Sequence, residues 1–172
     1  VGLPLAIEFG KKRIVVGFDI NKDRIDLLKK GNDPTLEVSK KDFDEAINLD
    51  LTSDINDLKD CDIFIVTVPT PVDSSNVPDL LPLRYACEII GGTLLTGDLV
   101  IFESTVYPGL TEEYCVPILE KFSKLKYIYD FSVGYSPERI NPGDKKHTIS
   151  NIKKITSGST PEIANKVDKL YK

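Results

Sequence analysis

Short runs of β-branched and aromatic residues recur along this chain, and helical patterns separate them. Ile14-Val15-Val16-Gly17-Phe18 ends at Asp19, and Ile63-Phe64-Ile65-Val66-Thr67-Val68 is stopped by Pro69. Leu99-Val100-Ile101-Phe102 is the third run, Phe131-Ser132-Val133-Gly134-Tyr135 the fourth, and a weaker fifth spans residues 152–157. Strands covered on both faces of a parallel sheet have this continuous, unalternating look.

The intervening segments read as helices. Residues 3–12 carry apolar side chains at helical spacing, and residues 21–30 present Ile25, Leu27 and Leu28 as a stripe that Gly31 stops. Ser39 caps a segment through Ile47, with Asp42 three residues on as in a capping box. Residues 82–95 are helical despite Gly91-Gly92, residues 111–124 carry a Pro117 expected to kink them, and Thr160-Pro161 opens a last helix. Strand alternating with helix, without internal repeat, predicts an α/β fold: a Rossmann-like doubly wound, mainly parallel sheet with right-handed crossovers.

Composition narrows the function classes. The 172 residues are 41% hydrophobic and 28% charged, which suits one domain with a real core and excludes a disordered chain. A net charge of −5 leaves no basic excess to neutralise phosphates, so no nucleic-acid partner is expected. No apolar run approaches the roughly 20 residues that cross a bilayer, and no signal segment opens the chain. Cys61, Cys87 and Cys115 are odd in number and widely spaced, suggesting neither a disulfide framework nor a metal site. A soluble protein of a reducing compartment is the expectation.

In dinucleotide-binding domains a glycine-rich turn joins the first strand to the first helix, and an acidic residue ends the second strand. Glycine lets the backbone approach the pyrophosphate, whose charge faces the positive end of the helix. Asp19 follows Gly2 by 17 residues, near the usual spacing of about 20. Gly2 would then be the last glycine of the fingerprint, with the other two and the first strand preceding Val1. The sheet is therefore expected to be incomplete at the N-terminus, and the chain, which contains no methionine, to be a fragment. A turn glycine and a surface Asp are the bland alternative for this pair.

Three further segments each follow a strand, at the carboxyl edge where open α/β sheets bind ligands. They are Val68-Pro69-Thr70-Pro71, Glu103-Ser104-Thr105-Val106-Tyr107-Pro108-Gly109 and Ser136-Pro137-Glu138-Arg139-Ile140-Asn141-Pro142-Gly143. The prolines of the first set an extended turn able to hold a flat ring, leaving Thr70 to donate a hydrogen bond. Ser104 and Thr105 offer hydroxyls at a strand end. With Asp19-Ile20-Asn21 and Arg24, these segments make the chain resemble the UDP-glucose/GDP-mannose dehydrogenase family over residues 1–172. Within that family the similarity is greatest to the UDP-N-acetylhexosamine 6-dehydrogenases of the Vi-polysaccharide branch.

The resemblance implies the roles of particular residues. Residues 1–172 would be an NAD-binding domain, with the family's central helix and C-terminal UDP-sugar-binding domain outside them. Asp19 would hold the adenosine ribose of NAD with Arg24 nearby, and its carboxylate would repel the extra phosphate of NADP. Gly2, Val68, Pro69, Thr70, Ser104 and Thr105 match cofactor-contact positions. Glu138 matches the active-site glutamate, and Arg139 and Ile140 match positions that touch the nucleotide sugar. Arg139 stands where the glucose-oxidising branch has an aromatic residue, which favours an N-acetylated sugar. The family oxidises a sugar C6 alcohol to a carboxylate with two NAD in succession, through a cysteine thiohemiacetal and thioester. Glu138 and Thr105 would assist proton transfer around C6, and which of them is the base stays open.

The reactive cysteine, lysine and asparagine of the family are expected after Lys172, since Cys61, Cys87 and Cys115 do not match the motif. His147, in a polar loop after Lys145-Lys146, is expected to be exposed rather than catalytic. The resemblance implies a cytoplasmic homo-oligomer that assembles through regions outside these residues, acts on a UDP-sugar for surface or capsular polysaccharide synthesis, and binds no membrane. Two other readings stay open: a dehydrogenase of the 6-phosphogluconate or hydroxyacyl-CoA type, which leaves the second and third segments unexplained, and a non-catalytic nucleotide-binding module. A short-chain epimerase is disfavoured, because no Tyr-x-x-x-Lys pair falls in a plausible helix.

Overall fold

The computed structural model describes residues 2–75, 77–137 and 154–172. They form two compact units, residues 2–60 and residues 61–137 with 154–172.

In the first unit, α1 (Gly2–Gly10) precedes β1 (Val15–Phe18), α2 (Lys22–Leu28), α3 (Lys40–Glu45) and β2 (Leu49–Thr52). β1 and β2 pair in parallel, Val15 opposite Leu49 and Phe18 opposite Thr52. Leu3 and Ile7, four apart on α1, pack with Ile25 and Leu28 of α2 and with Ala46 and Leu51. One cap was expected, that of Ser39 with Asp42, and the structure adds another at Asn21. Asn21 Oδ1 accepts from the Arg24 amide at 3.0 Å, and Ser39 and Asp42 close a reciprocal capping box. Gly31 ends the second helical segment with φ of +73°, a conformation costly for residues bearing Cβ.

β2 is a strand that periodicity misses. Leu49-Asp50-Leu51-Thr52 is short, holds an exposed Asp50, and becomes a strand through its ladder with β1.

The second unit contains β3 (Ile63–Val66), α4 (Leu81–Gly91), β4 (Leu99–Phe102), α5 (Val116–Ser123), β5 (Ser132–Tyr135), β6 (Ser157–Gly158) and α6 (Pro161–Leu170). Its sheet order is β3-β4-β5-β6, with the first three strands parallel and in register from Ile63 through Leu99 to Ser132. β4 is buried along its whole length, as its unalternating sequence predicts. Successive residues of β4 point to opposite faces. Leu99 and Ile101 pack with Val167 of α6, while the buried Leu83, Cys87 and Ile90 of α4 and Leu119 of α5 supply further core. Within this unit the expected mainly parallel α/β arrangement holds.

Three expectations need correction. The fifth strand appears as Ser157–Gly158 and runs antiparallel to β5, Gly134 facing Gly158; residues 152 and 153 lie outside the described residues. α4 ends at Gly91 rather than Leu95, because the Gly91-Gly92 pair loses more backbone freedom in a helix than any other residue type. Pro117 does not kink a continuous helix. It sits in the first turn of α5, where its missing N–H is tolerated, and a π-helical turn over Thr111–Cys115 precedes it, the Val116 amide reaching Thr111 O.

Candidate functional site

Asp19 is the first residue past β1. Its amide still donates to Thr52 O at 3.1 Å, so the sheet ladder holds the Asp19 backbone in place. Asp19 Oδ1 accepts from the Asn21 amide at 2.9 Å, and Asp19 Oδ2 lies 3.6 Å from Arg24 Nε. A carboxylate has about four lone-pair sites, so this half-exposed group keeps acceptor capacity for vicinal hydroxyls. Gly2 is the first residue of α1, whose first turn bears no acidic side chain, and that leaves the positive end of the helix uncompensated. These features fit a ribose and a diphosphate respectively.

In the second unit the segments after β3 and β4 are laced together. Ser104 Oγ donates to Val68 O at 2.6 Å, and Thr70 Oγ1 donates to Thr105 O at 2.8 Å. These bonds alter two expectations. The Thr70 proton is used within the protein, leaving this hydroxyl to accept rather than donate. Ser104 is buried and braces the turn, so its side chain is no free donor to a ligand. Pro69 and Thr105 remain exposed among the described residues.

Glu138, Arg139, Ile140 and His147 lie outside the described residues. Ser136, directly after β5, is fully buried; its amide donates to Phe102 O at 3.0 Å, and its Oγ has no hydrogen-bond partner among the described residues.

Cys87 and Cys115 are buried on facing helices. The adjoining Cys115 thiol, and then burial, push the Cys87 thiol above its ordinary value.

Sequence reasoning did not single out Glu103. Its side chain has no exposed surface. Glu103 Oε2 accepts from Lys154 Nζ at 2.7 Å, and Oε1 accepts from the Tyr171 hydroxyl. Lys154 Nζ also stands 5.2 Å from the centre of the Tyr171 ring. The available signal was an ionisable residue immediately after a wholly apolar strand.

The chain is similar to known proteins along its whole length. The NAD binding domain of the UDP-glucose/GDP-mannose dehydrogenase family matches residues 1–172. A UDP-N-acetyl-D-glucosamine 6-dehydrogenase of Pseudomonas aeruginosa is 63% identical over 172 residues, all of this chain and 41% of the relative. A protein of the same name from Salmonella typhi is 58% identical, over 99% of this chain and 40% of its own length. Among solved structures, a UDP-D-ManNAc dehydrogenase from Pyrococcus horikoshii superposes with a TM-score of 0.87 at 34% identity, covering 99% of this chain and 42% of that one. The chain thus spans about two-fifths of the length of the curated relatives it matches.

Proposed function

The chain belongs to the UDP-glucose/GDP-mannose dehydrogenase family as its NAD-binding domain, and from that premise we propose that the protein oxidises the C6 alcohol of a UDP-N-acetylhexosamine to the uronic acid. UDP-N-acetylglucosamine is the first candidate, with UDP-N-acetylgalactosamine second. The observation that carries this reading is the 63% identity across the whole chain to a UDP-N-acetyl-D-glucosamine 6-dehydrogenase. The braced turns and the ribose-ready carboxylate support it independently.

When bound, NAD supplies a hydride acceptor, and two successive transfers with one water take the alcohol to the carboxylate. This chain's own residues bind and orient. Asp19 accepts hydrogen bonds from the adenosine ribose hydroxyls, each contributing about 1.5 to 3 kcal/mol to a charged acceptor, while Arg24 holds that carboxylate in place. Gly2 lets the start of α1 face the diphosphate. Val68, Pro69 and Thr70 form one wall for the cofactor, and Thr105 presents its hydroxyl from the turn that Ser104 braces.

Glu138 and Thr105 assist proton transfer at C6, and Arg139 and Ile140 touch the sugar nucleotide. The nucleophilic cysteine comes from a part of the protein outside these residues, as do the central helix and the UDP-sugar-binding domain. The same reading makes the protein a cytoplasmic homo-oligomer serving surface or capsular polysaccharide synthesis, without nucleic-acid or membrane partners.

The test is an assay of the intact protein with NAD and a panel of UDP-sugars. The expected result is two NADH per sugar and a UDP-uronic acid. Binding of NAD without turnover of any UDP-sugar would favour a non-catalytic module instead.

A further inference from the structure

Three consecutive residues leave β4, and each is tied to a different partner. Glu103 is held through Lys154 and Tyr171, Ser104 through Val68 O, and the Thr105 carbonyl through the Thr70 hydroxyl. The last two ties reach only the neighbouring turn. The first fastens β4's exit to the chain just before β6 and to the residue that follows α6. Tyr171, with Leu170 and Ile163, packs against the cluster of Leu99, Ile101 and Val167.

A buried ion pair is weak evidence for stability, since desolvation offsets its attraction and apolar residues of the same volume often serve as well. What such a group does well is hold a geometry. Both Glu103 oxygens are engaged, so the carboxylate cannot rotate without releasing a buried partner. The Glu103 amide meanwhile donates to Val66 O at 2.9 Å, fixing the backbone at the same point.

We propose that Glu103 is a positioning residue that, through Lys154 and Tyr171, sets the orientation of the Ser104-Thr105 turn and hence of the Thr105 hydroxyl presented to cofactor and substrate. This rests on the reading that the turn contacts NAD.

The test uses the intact protein and the variants Tyr171→Phe, Lys154→Met, Lys154→Arg, Glu103→Gln and the double variant Glu103→Gln with Lys154→Met. Affinity for NAD is measured by calorimetry, folding by thermal midpoint, and turn order by hydrogen exchange at the Thr105 amide. Tyr171→Phe keeps the ring and removes one donor, so it should fold. It is expected to weaken NAD about tenfold, to accelerate exchange at Thr105 and to lower turnover of the UDP-sugar. Lys154→Met should behave likewise and Lys154→Arg should recover.

The double variant removes the lone buried charge, so its thermal midpoint should return toward that of the parent while NAD affinity stays reduced. NAD affinity that recovers together with the thermal midpoint would overturn the proposal in favour of a purely structural pair. Unchanged exchange at Thr105 in Tyr171→Phe would also overturn it, whether or not NAD binds. A parent protein that binds no NAD, with exchange still faster in the variant, would overturn the functional reading beneath it while leaving the positioning of the turn intact.

Discussion

The Thr70 hydroxyl donates to the Thr105 carbonyl at 2.8 Å across 35 residues of sequence, joining the turn after β3 to the turn after β4. Thr70→Val keeps the side-chain shape and removes that bond. NAD affinity should fall about threefold to tenfold, the worth of one hydrogen bond, with little change in thermal midpoint. Calorimetry with NAD on the intact protein decides it, and unchanged affinity would exclude the turn from the cofactor site.

Arg24 is held beside Asp19, and that pairing gives a second expectation. Asp19→Ala should weaken NAD by about tenfold or more through the lost ribose hydrogen bonds. It should also release the guanidinium to attract a 2′-phosphate, so the NAD-to-NADP preference narrows. Dissociation constants for both cofactors test this; an unchanged ratio would mean that Arg24 does not face the ribose.

On the proposed function, Glu138→Gln should depress turnover with little effect on NAD affinity, since that reading gives the group proton transfer at C6 rather than cofactor binding. Parent-like steady-state kinetics would remove Glu138 from the reacting centre.

Asp33 supplies a pH dependence. Burial pushes its carboxyl up, but bonds from the Thr35 hydroxyl and from the amides of Thr35, Glu37 and Val38 outweigh burial and hold it below its ordinary 3.8. A folded pKa lower than the unfolded one contributes stability that is present above the unfolded value and lost as pH falls through the folded value. Asp33→Asn should therefore flatten the acid limb of stability below about pH 4. Urea denaturation from pH 7 to pH 3 would show it; parallel curves for both proteins would refute it.

Gly158 lies so close to Ala164 and Ile163 of α6 that a Cβ would collide with backbone atoms of that helix. Gly158→Ala should cost about 1–3 kcal/mol of stability by overpacking, read as a drop in thermal midpoint. A parent-like midpoint would mean that α6 can shift away from β6 freely.

Where local chemistry sufficed, the sequence was legible. Runs such as Leu99 to Phe102 mark strands by composition, and Ser39 with Asp42, and Thr160, announce helix starts within three residues of the bonds they make. The turns after β3 and β4 were recognisable because each comes at the end of an apolar run. β2 was not, since Leu49 and Leu51 alternate with Asp50 and Thr52 over only four residues and acquire strand character from β1.

By itself, then, the sequence determined most of the elements, the caps at Ser39 and Thr160, the family and the positions that carry its motifs. All of these depend on interactions spanning a few residues or on motifs read one residue at a time. Only the tertiary structure decided which polar groups are spent inside the protein and which are presented. Ser104 meets Val68 across 36 residues, Lys154 meets Glu103 across 51 and Tyr171 meets Glu103 across 68. Such partners are chosen by strand order and helix packing, which bring distant groups within hydrogen-bond range. No local pattern encodes that proximity.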